Sequence, residues 1–323
     1  ADAEADAARW LRDASRVVAV CGAGISTSAG IPDFRTPGTG LYARLAARGM
    51  KDPMDVFSLE YFRRDAGPFF EVCAEILPRA EADGGFRPTP CHFFLRVLHE
   101  AGKLRRVYTQ NIDGLERLAG LPAEALVECH GTFATTSCSQ CGAPYDGDLA
   151  RVLLRSEGWP VCLACGGAAK PDVVLFGEGL PARFHEAFTA DFGAGAGPDL
   201  VLVLGTSLEV APVAELPELV PAATPRVLAN RELAGRFARR AAEAEARGGA
   251  EAYETKWGLL RFAGPAEESD SAARRDQGEA ARAERLERLE VEEALRARWA
   301  NDAVLLGDCD ATARRLAAAI GLG

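Results

Sequence analysis

The sequence predicts an α/β fold, a doubly wound (Rossmann-like) parallel sheet carrying a smaller module. Three observations predict it. An apolar, β-branched run, Val17-Val18-Ala19-Val20-Cys21, suits a strand buried on both faces and leads straight into Gly22 and Gly24. Further short strand-like runs follow at 104–108, 125–129, 172–176, 199–204, 226–229 and 303–306, separated by helical or loop stretches. Finally, 323 residues exceed one small domain and suit one large α/β domain with an inserted module.

Taken in order, residues 6–14 read as a first helix with Trp10 and Leu11 on its apolar side. The glycine turn after strand 17–21 lets backbone approach a phosphate group, with the amides of a following helix as donors. Thr27 stands where a third glycine of G-x-G-x-x-G would be, and Asp33, Phe34 and Arg35 lie on a Gly- and Pro-rich loop beyond it. Residues 50–85 carry Phe57, Tyr61, Phe62, Phe69, Phe70, Val72 and Ile76 at helical intervals, read as a helical module whose aromatics form a core.

Thr89 is the predicted N-cap of the next helix and Gly102 its end, with His92 and His99 as packing or surface residues. Strand 104–108 then delivers TQNIDGLE and strand 125–129 delivers His130. Both polar tips fall at carboxyl ends of strands, where open parallel sheets bind ligands. Residues 311–320 read as a closing helix.

Cys138-x2-Cys141 and Cys162-x2-Cys165, separated by residues 142–161, have the spacing of a four-cysteine zinc ribbon. Four thiolates saturate one Zn2+ and leave no position for water, so the predicted metal is structural and staples the lobe between the pairs. Cys21, Cys73, Cys91 and Cys129 read as small buried hydrophobes.

GAGIS at 22–26, GIPDFR at 30–35, GTGLY at 38–42, TQNIDGLE at 109–116, HG at 130–131, KPDVVLFGE at 170–178, GTSLEV at 205–210 and GDCD at 307–310, together with the cysteine pairs, resemble the sirtuins in order. That resemblance covers most of the chain except about 236–300. It implies an NAD-dependent protein lysine deacetylase or deacylase, of the class containing cytosolic and mitochondrial deacetylases, with NAD+ as co-substrate and acylated-lysine proteins or peptides as partners. The implied domain division is 1–49, 86–133 and 170–323 for the Rossmann-like domain, 50–85 for the helical module and 134–169 for the zinc module.

The resemblance implies His130 as the general base on the NAD ribose and Asn111 as the residue orienting the ribose and a water, with Gln110 and Asp113 contacting the nicotinamide side of the pocket or supporting it. Gly22, Ala23, Gly24, Ser26, Asp33, Phe34, Arg35, Gly205, Thr206 and Ser207 match phosphate, loop and ribose positions. Asn230, Arg231 and Glu232 match adenosine-ribose contacts, and Cys309 an adenine contact. The acyl carbonyl oxygen would attack C1′ of NAD, releasing nicotinamide and giving free lysine and 2′-O-acyl-ADP-ribose.

The peptide would lie as an extended strand between Gly177-Glu178-Gly179 and Leu208-Glu209-Val210, with the Val174 carbonyl accepting the lysine amide. Ile112, Phe133 and Leu175 would line the acyl tunnel. Leu175 stands where relatives commonly have Phe, which implies room for longer acyl groups. Two other function classes stay open, a protein ADP-ribosyltransferase and a catalytically weak NAD-responsive binding protein.

Residues 236–300 depart from the family pattern. Their Glu/Arg/Ala run, 272–299, reads as a solvated helix supported by Glu284–Arg288 and Glu292–Arg296 pairs, with a partner-binding helix as the sharper reading. A net charge of -10 argues against a nucleic-acid groove dominating the surface. No apolar run reaches the roughly 18 residues of a membrane span. The unpaired cysteine usage suits an intracellular, reducing setting, cytoplasmic or nuclear, with mitochondrial also open.

Overall fold

The computed structural model describes residues 3–34, 36, 38, 40–47, 50, 52–76, 85–156, 158–193, 195, 197–239 and 301–322, and the backbone of 252–254 and 259–262. Its helices are α1 (Ala3–Asp13), α2 (Leu41–Ala47), α3 (Leu59–Arg64), α4 (Gly67–Ile76), α5 (Pro90–Glu100), α6 (Leu115–Leu118), α7 (Gly147–Arg155), α8 (Ala182–Phe192) and α9 (Cys309–Ala319). The strands of the large sheet are β1 (Val17–Cys21), β2 (Leu104–Thr109), β3 (Leu126–Glu128), β7 (Leu200–Leu204), β8 (Arg226–Asn230), β9 (Ala252–Glu254), β10 (Leu259–Phe262) and β11 (Asp302–Leu306). A small sheet holds β4 (Gly131–Cys138), β5 (Pro144–Tyr145) and β6 (Ala169–Val173).

The large sheet runs β3-β2-β1-β7-β8-β11-β10-β9. The first six strands are mutually parallel, and β10 and β9 extend that edge antiparallel. Side-chain alternation sends Val17, Ala19, Cys21, Leu200, Leu202, Leu204, Val227 and Ala229 to one face, against Leu11 of α1, Leu95 of α5 and Leu316 of α9. Val18, Val20, Val201, Val203 and Leu228 face the other way, against Phe184 of α8 and Val213, Leu216 and Phe237. Helices on both faces make the sheet doubly wound, as the apolar runs predict.

Successive strands are added to one side of β1 as β2 and β3, and to the other as β7, β8 and β11. The direction of winding therefore reverses between β1 and β7. Outside the carboxyl ends of those two strands a crevice is unavoidable, because the connections leave in opposite directions.

The third core cluster fuses the helical and cysteine modules. Leu45, Val56, Phe57, Phe62, Phe69, Phe70 and Val72 pack with Phe133 of β4, Leu154 of α7 and Val173 and Leu175 of the β6 arm. Phe62 and Phe69 meet edge to face at 5.2 Å, and Trp159 stacks on Phe70 at 6.2 Å. The module aromatics are thus a core, as expected, although Phe57 also reaches the cleft.

Three sequence expectations need correction. The run at 172–176 is not a strand of the parallel sheet. The strand there is β6, ending at Val173, and it pairs antiparallel with β4. No helix follows the first glycine turn, because residues 23–25 and 27–29 form two short 3-10 turns. Of the two readings open for His92, packing holds and surface does not, and the ring also has a capping role. It is buried, and its Nδ1 accepts the Thr89 amide at 3.1 Å, closing a capping box on α5. The charged run at 272–299 lies outside the described residues.

Behind α8 the sheet carries a buried polar knot. Arg106 donates through Nε to Asp191 Oδ2 at 2.6 Å, and the Tyr108 hydroxyl donates to the same oxygen at 2.8 Å. Asp191→Ala would strand the Arg106 charge, so we expect a loss of about 3–5 kcal/mol in urea unfolding. A loss under about 1 kcal/mol would show that the knot does not hold the sheet edge.

Candidate active site

The crevice at the switch point is a cleft of about 550 Å³. Its floor forms where the loop after β1 meets the loop after β7. A Cβ on Gly22 would lie 2.6 Å from Thr206 Cβ, and one on Gly24 2.7 Å from Gly205 Cα, so the backbones touch with no room for side chains. The Gly22 amide donates to Leu204 O at 3.1 Å and the Gly24 amide to Gly205 O at 2.8 Å. These glycines therefore join the two loops, and their amides are occupied within the protein.

Polar groups line the floor in defined orientations. Gln110 Nε2 donates to Thr206 Oγ1 at 2.8 Å, and the Leu208 amide donates to the same oxygen at 3.1 Å. Thr206 thus accepts twice and keeps its own proton for another partner. Asn230 Nδ2 donates to Thr206 O and Glu232 O, which leaves its amide oxygen as an acceptor at the cleft. Cys309 lines the same end. Burial pushes its thiol up to about 12, so it is a neutral wall.

His130 sits where β3 passes into β4. Its Nδ1 is 3.0 Å from Gln110 O, a carbonyl that only accepts, so Nδ1 carries the ring proton and Nε2 keeps its lone pair. Burial lowers its pKa below the ordinary 6.5, partly offset by the Gln110 carbonyl, so the ring is neutral near neutral pH. Gly131 must follow it. At φ 80°, a Cβ there would lie 1.9 Å from Asp172 O on β6.

Beside the histidine, Asn111 Nδ2 donates to Gly22 O at 3.1 Å and to Ser26 Oγ at 3.3 Å. Ser26 Oγ in turn donates to Asp113 Oδ2 at 2.7 Å. Ser26 and Asp113 are buried behind Asn111 and do not line the cleft.

The mouth is formed by two loops. The Asp33 carboxylate accepts the amide and hydroxyl of Thr36, closing a turn that presents Phe34 to the cleft. The Phe34 ring packs 5.7 Å from Phe57 and 5.8 Å from Tyr42. Arg35 lies outside the described residues. Opposite, the Phe176 amide donates to Phe57 O and the Leu59 amide to Phe176 O, tying the segment after β6 to the helical module.

Of the residues singled out from sequence, Gly22, Ala23, Gly24, Asp33, Phe34, Gln110, Asn111, Ile112, His130, Val174, Leu175, Gly177, Glu178, Gly205, Thr206, Ser207, Glu209, Val210, Asn230, Arg231, Glu232 and Cys309 line one cleft. Phe133 and Leu208 are buried in neighbouring cores, and Gly179 is off the lining. Glu178 turns inward, accepting Lys170 Nζ at 3.1 Å and the Leu175 amide at 2.8 Å. Sequence reasoning passed over Thr27, Thr36, Tyr42, Phe57, Phe176, Leu180, Pro212 and Asp308, which also line it. Tyr42 had a signal, since it ends the GTGLY motif.

The Sir2 family model matches residues 22–212, the span that contains the cleft floor, His130 and the cysteine pairs. The chain belongs to the Sir2 family. It is 48% identical over 234 residues to the NAD-dependent protein deacetylase sirtuin-3 of Mus musculus, covering 72% of this chain and 67% of that protein. It is 46% identical over 221 residues to the NAD-dependent protein deacetylase sirtuin-2 of Danio rerio, covering 68% of this chain and 56% of that protein. Against the NAD-dependent protein deacetylase hst2 of Schizosaccharomyces pombe it is 45% identical over 225 residues, covering 70% of this chain and 65% of that protein. The chain thus spans between 56% and 67% of the length of these family members.

Away from the cleft, Cys138, Cys141, Cys162 and Cys165 bring four sulfurs within 4.8 Å of one another. Tetrahedral zinc with bonds of about 2.3 Å needs sulfurs about 3.8 Å apart. The Cys138–Cys165 and Cys141–Cys162 separations are 3.4 and 3.7 Å, so the donor set fits zinc. Among the described residues, no helix is long and apolar enough to cross a membrane.

With so little core of its own around α7, the cysteine lobe should depend on its metal. Metal analysis is expected to give one zinc per chain, and chelator-treated protein to become protease-sensitive within 134–169 while keeping most of its helical circular dichroism. Equal protease resistance with and without metal would show that zinc does not hold the lobe.

Proposed function

We propose that this chain is an NAD-dependent protein-lysine deacylase, with acylated protein or peptide as partner and one structural zinc in the four-cysteine module. The observation that carries this reading is the His130 imidazole, held through Nδ1 by the Gln110 carbonyl at 3.0 Å. Its free Nε2 shares one cleft with Asn111 and with the Gly205–Ser207 loop at the switch point. Family membership supports the same assignment.

Bound NAD would supply a ribose carbon as electrophile and nicotinamide as leaving group. Thr206, Ser207, Asn230, Arg231, Glu232 and Cys309 are the residues we assign to its adenosine and phosphate side, and Gln110, Asn111 and Phe34 to its nicotinamide side. The Nδ1–H bond to Gln110 O holds the ring in one tautomer, so Nε2 can take a proton from a ribose hydroxyl. Phe34, braced by Phe57 and Tyr42, shields that point from water. Extended peptide would pair with the backbone of 174–178 on one side and 208–210 on the other.

Incubation with NAD and an acetyl-lysine peptide, followed by mass spectrometry, is expected to give deacetylated peptide, nicotinamide and acylated ADP-ribose in equal amounts. ADP-ribose attached to unacetylated protein instead would favour a transferase. Intact NAD would leave only a binding role.

His130→Ala should lower turnover by about 10²–10⁴-fold, the range for a lost general base, while NAD affinity by calorimetry changes only a few-fold. A fall of less than ten-fold would remove His130 from the chemistry.

The sign of the pH effect follows from burial. Protonation inactivates the base, and burial places its pKa below 6.5, so activity is retained through pH 6.5 and lost only as pH falls further. The acid limb of kcat/KM for NAD reads this directly. A limb centred above 7 would mean that the titrating group is not this imidazole.

A further inference from the structure

Leu208 breaks a backbone rule beside the wall of the cleft. Its φ is 52°, and among the described residues no other residue with a side chain has a positive φ. A Cβ makes that region costly, so a leucine stays there only where its surroundings leave it no alternative. The next two residues, Glu209 and Val210, line the cleft. The direction in which Leu208 sends the chain is therefore the direction of the wall.

Three contacts hold Leu208 in place. Its amide donates to Thr206 Oγ1 at 3.1 Å. Its side chain is buried in the core cluster that includes Val213, Leu216, Ala234 and Phe237. The third contact is Gly235, at φ 48°, where an added Cβ would lie 2.8 Å from both Cβ and Cδ1 of Leu208. The bare backbone of residue 235, which does not line the cleft, is thus the shelf on which Leu208 rests.

That shelf is fixed from behind. Ala234 and Phe237 are buried, and the Phe237 amide donates to Ala234 O at 3.0 Å. Arg236 pairs with Glu218 at 2.9 Å and with Asp302, at the start of β11, at 3.4 Å. At the far end of the wall, the Ala214 amide donates to Val210 O at 3.1 Å. A methyl group on residue 235 is therefore not absorbed by the segment that carries it. Leu208 has to yield, and because a Cβ moves only with its backbone, no rotamer change relieves the collision.

We propose that Gly235 is a positioning residue for the peptide substrate, acting through Leu208. The missing side chain at 235 lets Leu208 keep its left-handed backbone, and that backbone aims Glu209 and Val210 along the cleft. This rests on the deacylase reading above, in which 208–210 is one of the two backbones that pair with the peptide. The NAD end of the same loop is held separately, by Gly24 on Gly205 O at 2.8 Å and by Gln110 on Thr206 Oγ1 at 2.8 Å. Gly235 thus acts on the peptide and leaves NAD alone.

The test uses Gly235→Ala in the wild-type, Leu208→Gly and Leu208→Ala backgrounds of the zinc-loaded full chain. It reads kcat and KM for an acetyl-lysine peptide, peptide Kd by fluorescence anisotropy, NAD Kd by calorimetry without peptide, and melting temperature. Gly235→Ala is expected to raise peptide KM and Kd at least ten-fold, with kcat and NAD Kd changed less than about three-fold. On Leu208→Gly, which has no Cβ to collide with, the same change should raise peptide Kd less than two-fold further. On Leu208→Ala, which keeps the Cβ, it should still raise peptide Kd at least five-fold.

A Gly235→Ala protein whose peptide KM and Kd stay within two-fold of wild type overturns the proposal, and so does one that weakens NAD as much as peptide. Equal effects in the wild-type and Leu208→Gly backgrounds overturn it too, because contact with Leu208 would not carry the effect. Where Leu208→Gly does not fold, loss of the effect on Leu208→Ala overturns the proposal and its persistence supports it. A wild type that binds the acetyl-lysine peptide without turning it over would sink the deacylase reading, with peptide Kd still deciding this one. A wild type that binds no such peptide overturns both.

Discussion

Everything at the site follows from the contact between the backbones of Gly22–Gly24 and Gly205–Thr206. At a Cβ distance of 2.6 to 2.7 Å, a methyl group on either glycine would force the two loops apart. The parallel sheet creates the crevice by reversing direction between β1 and β7, but the crevice becomes a defined floor only because these loops touch. Gln110 and Asn230 then bond across the same seam to Thr206, so residues from three strand ends keep a common register. His130 is held against that register through the Gln110 carbonyl. A small displacement of the seam would move His130, the amide of Asn111 and the loop at Thr206 together.

Much of this was legible in the sequence, because buried parallel strands announce themselves as apolar runs and ligand residues follow such runs. Val17–Cys21 and Leu200–Leu204 read directly, and each delivers its loop to the switch point. The cysteine pairs read equally well, since the geometry of one ion dictates their spacing.

What failed did so for identifiable reasons. Residues 173–176 form an apolar run of strand length, yet only its start lies in a strand, and that strand belongs to another sheet. Periodicity reports burial, not partner, and the run is apolar because Val173 and Leu175 fill the core of the helical module. Pro171 is tolerated in β6 because this strand lies at the edge of the small sheet.

Lys170 and Glu178 show how the metal lobe reaches the cleft. Lys170 follows the last zinc-type cysteine by five positions and is buried on β6, where Nζ donates to Val173 O at 2.7 Å and to Glu178 at 3.1 Å. Glu178 then holds the Leu175 amide, so one ion pair closes the turn that carries Val174 and Leu175 along the cleft wall. Lys170 is buried and Glu178 half-buried, and each is satisfied by backbone as well as by its partner, which lets the pair hold the geometry of the turn. Unfolding the cysteine lobe would free β6, and with it this turn. The cysteine lobe and the cleft wall therefore share one strand, so the order of the lobe and the shape of the wall are linked.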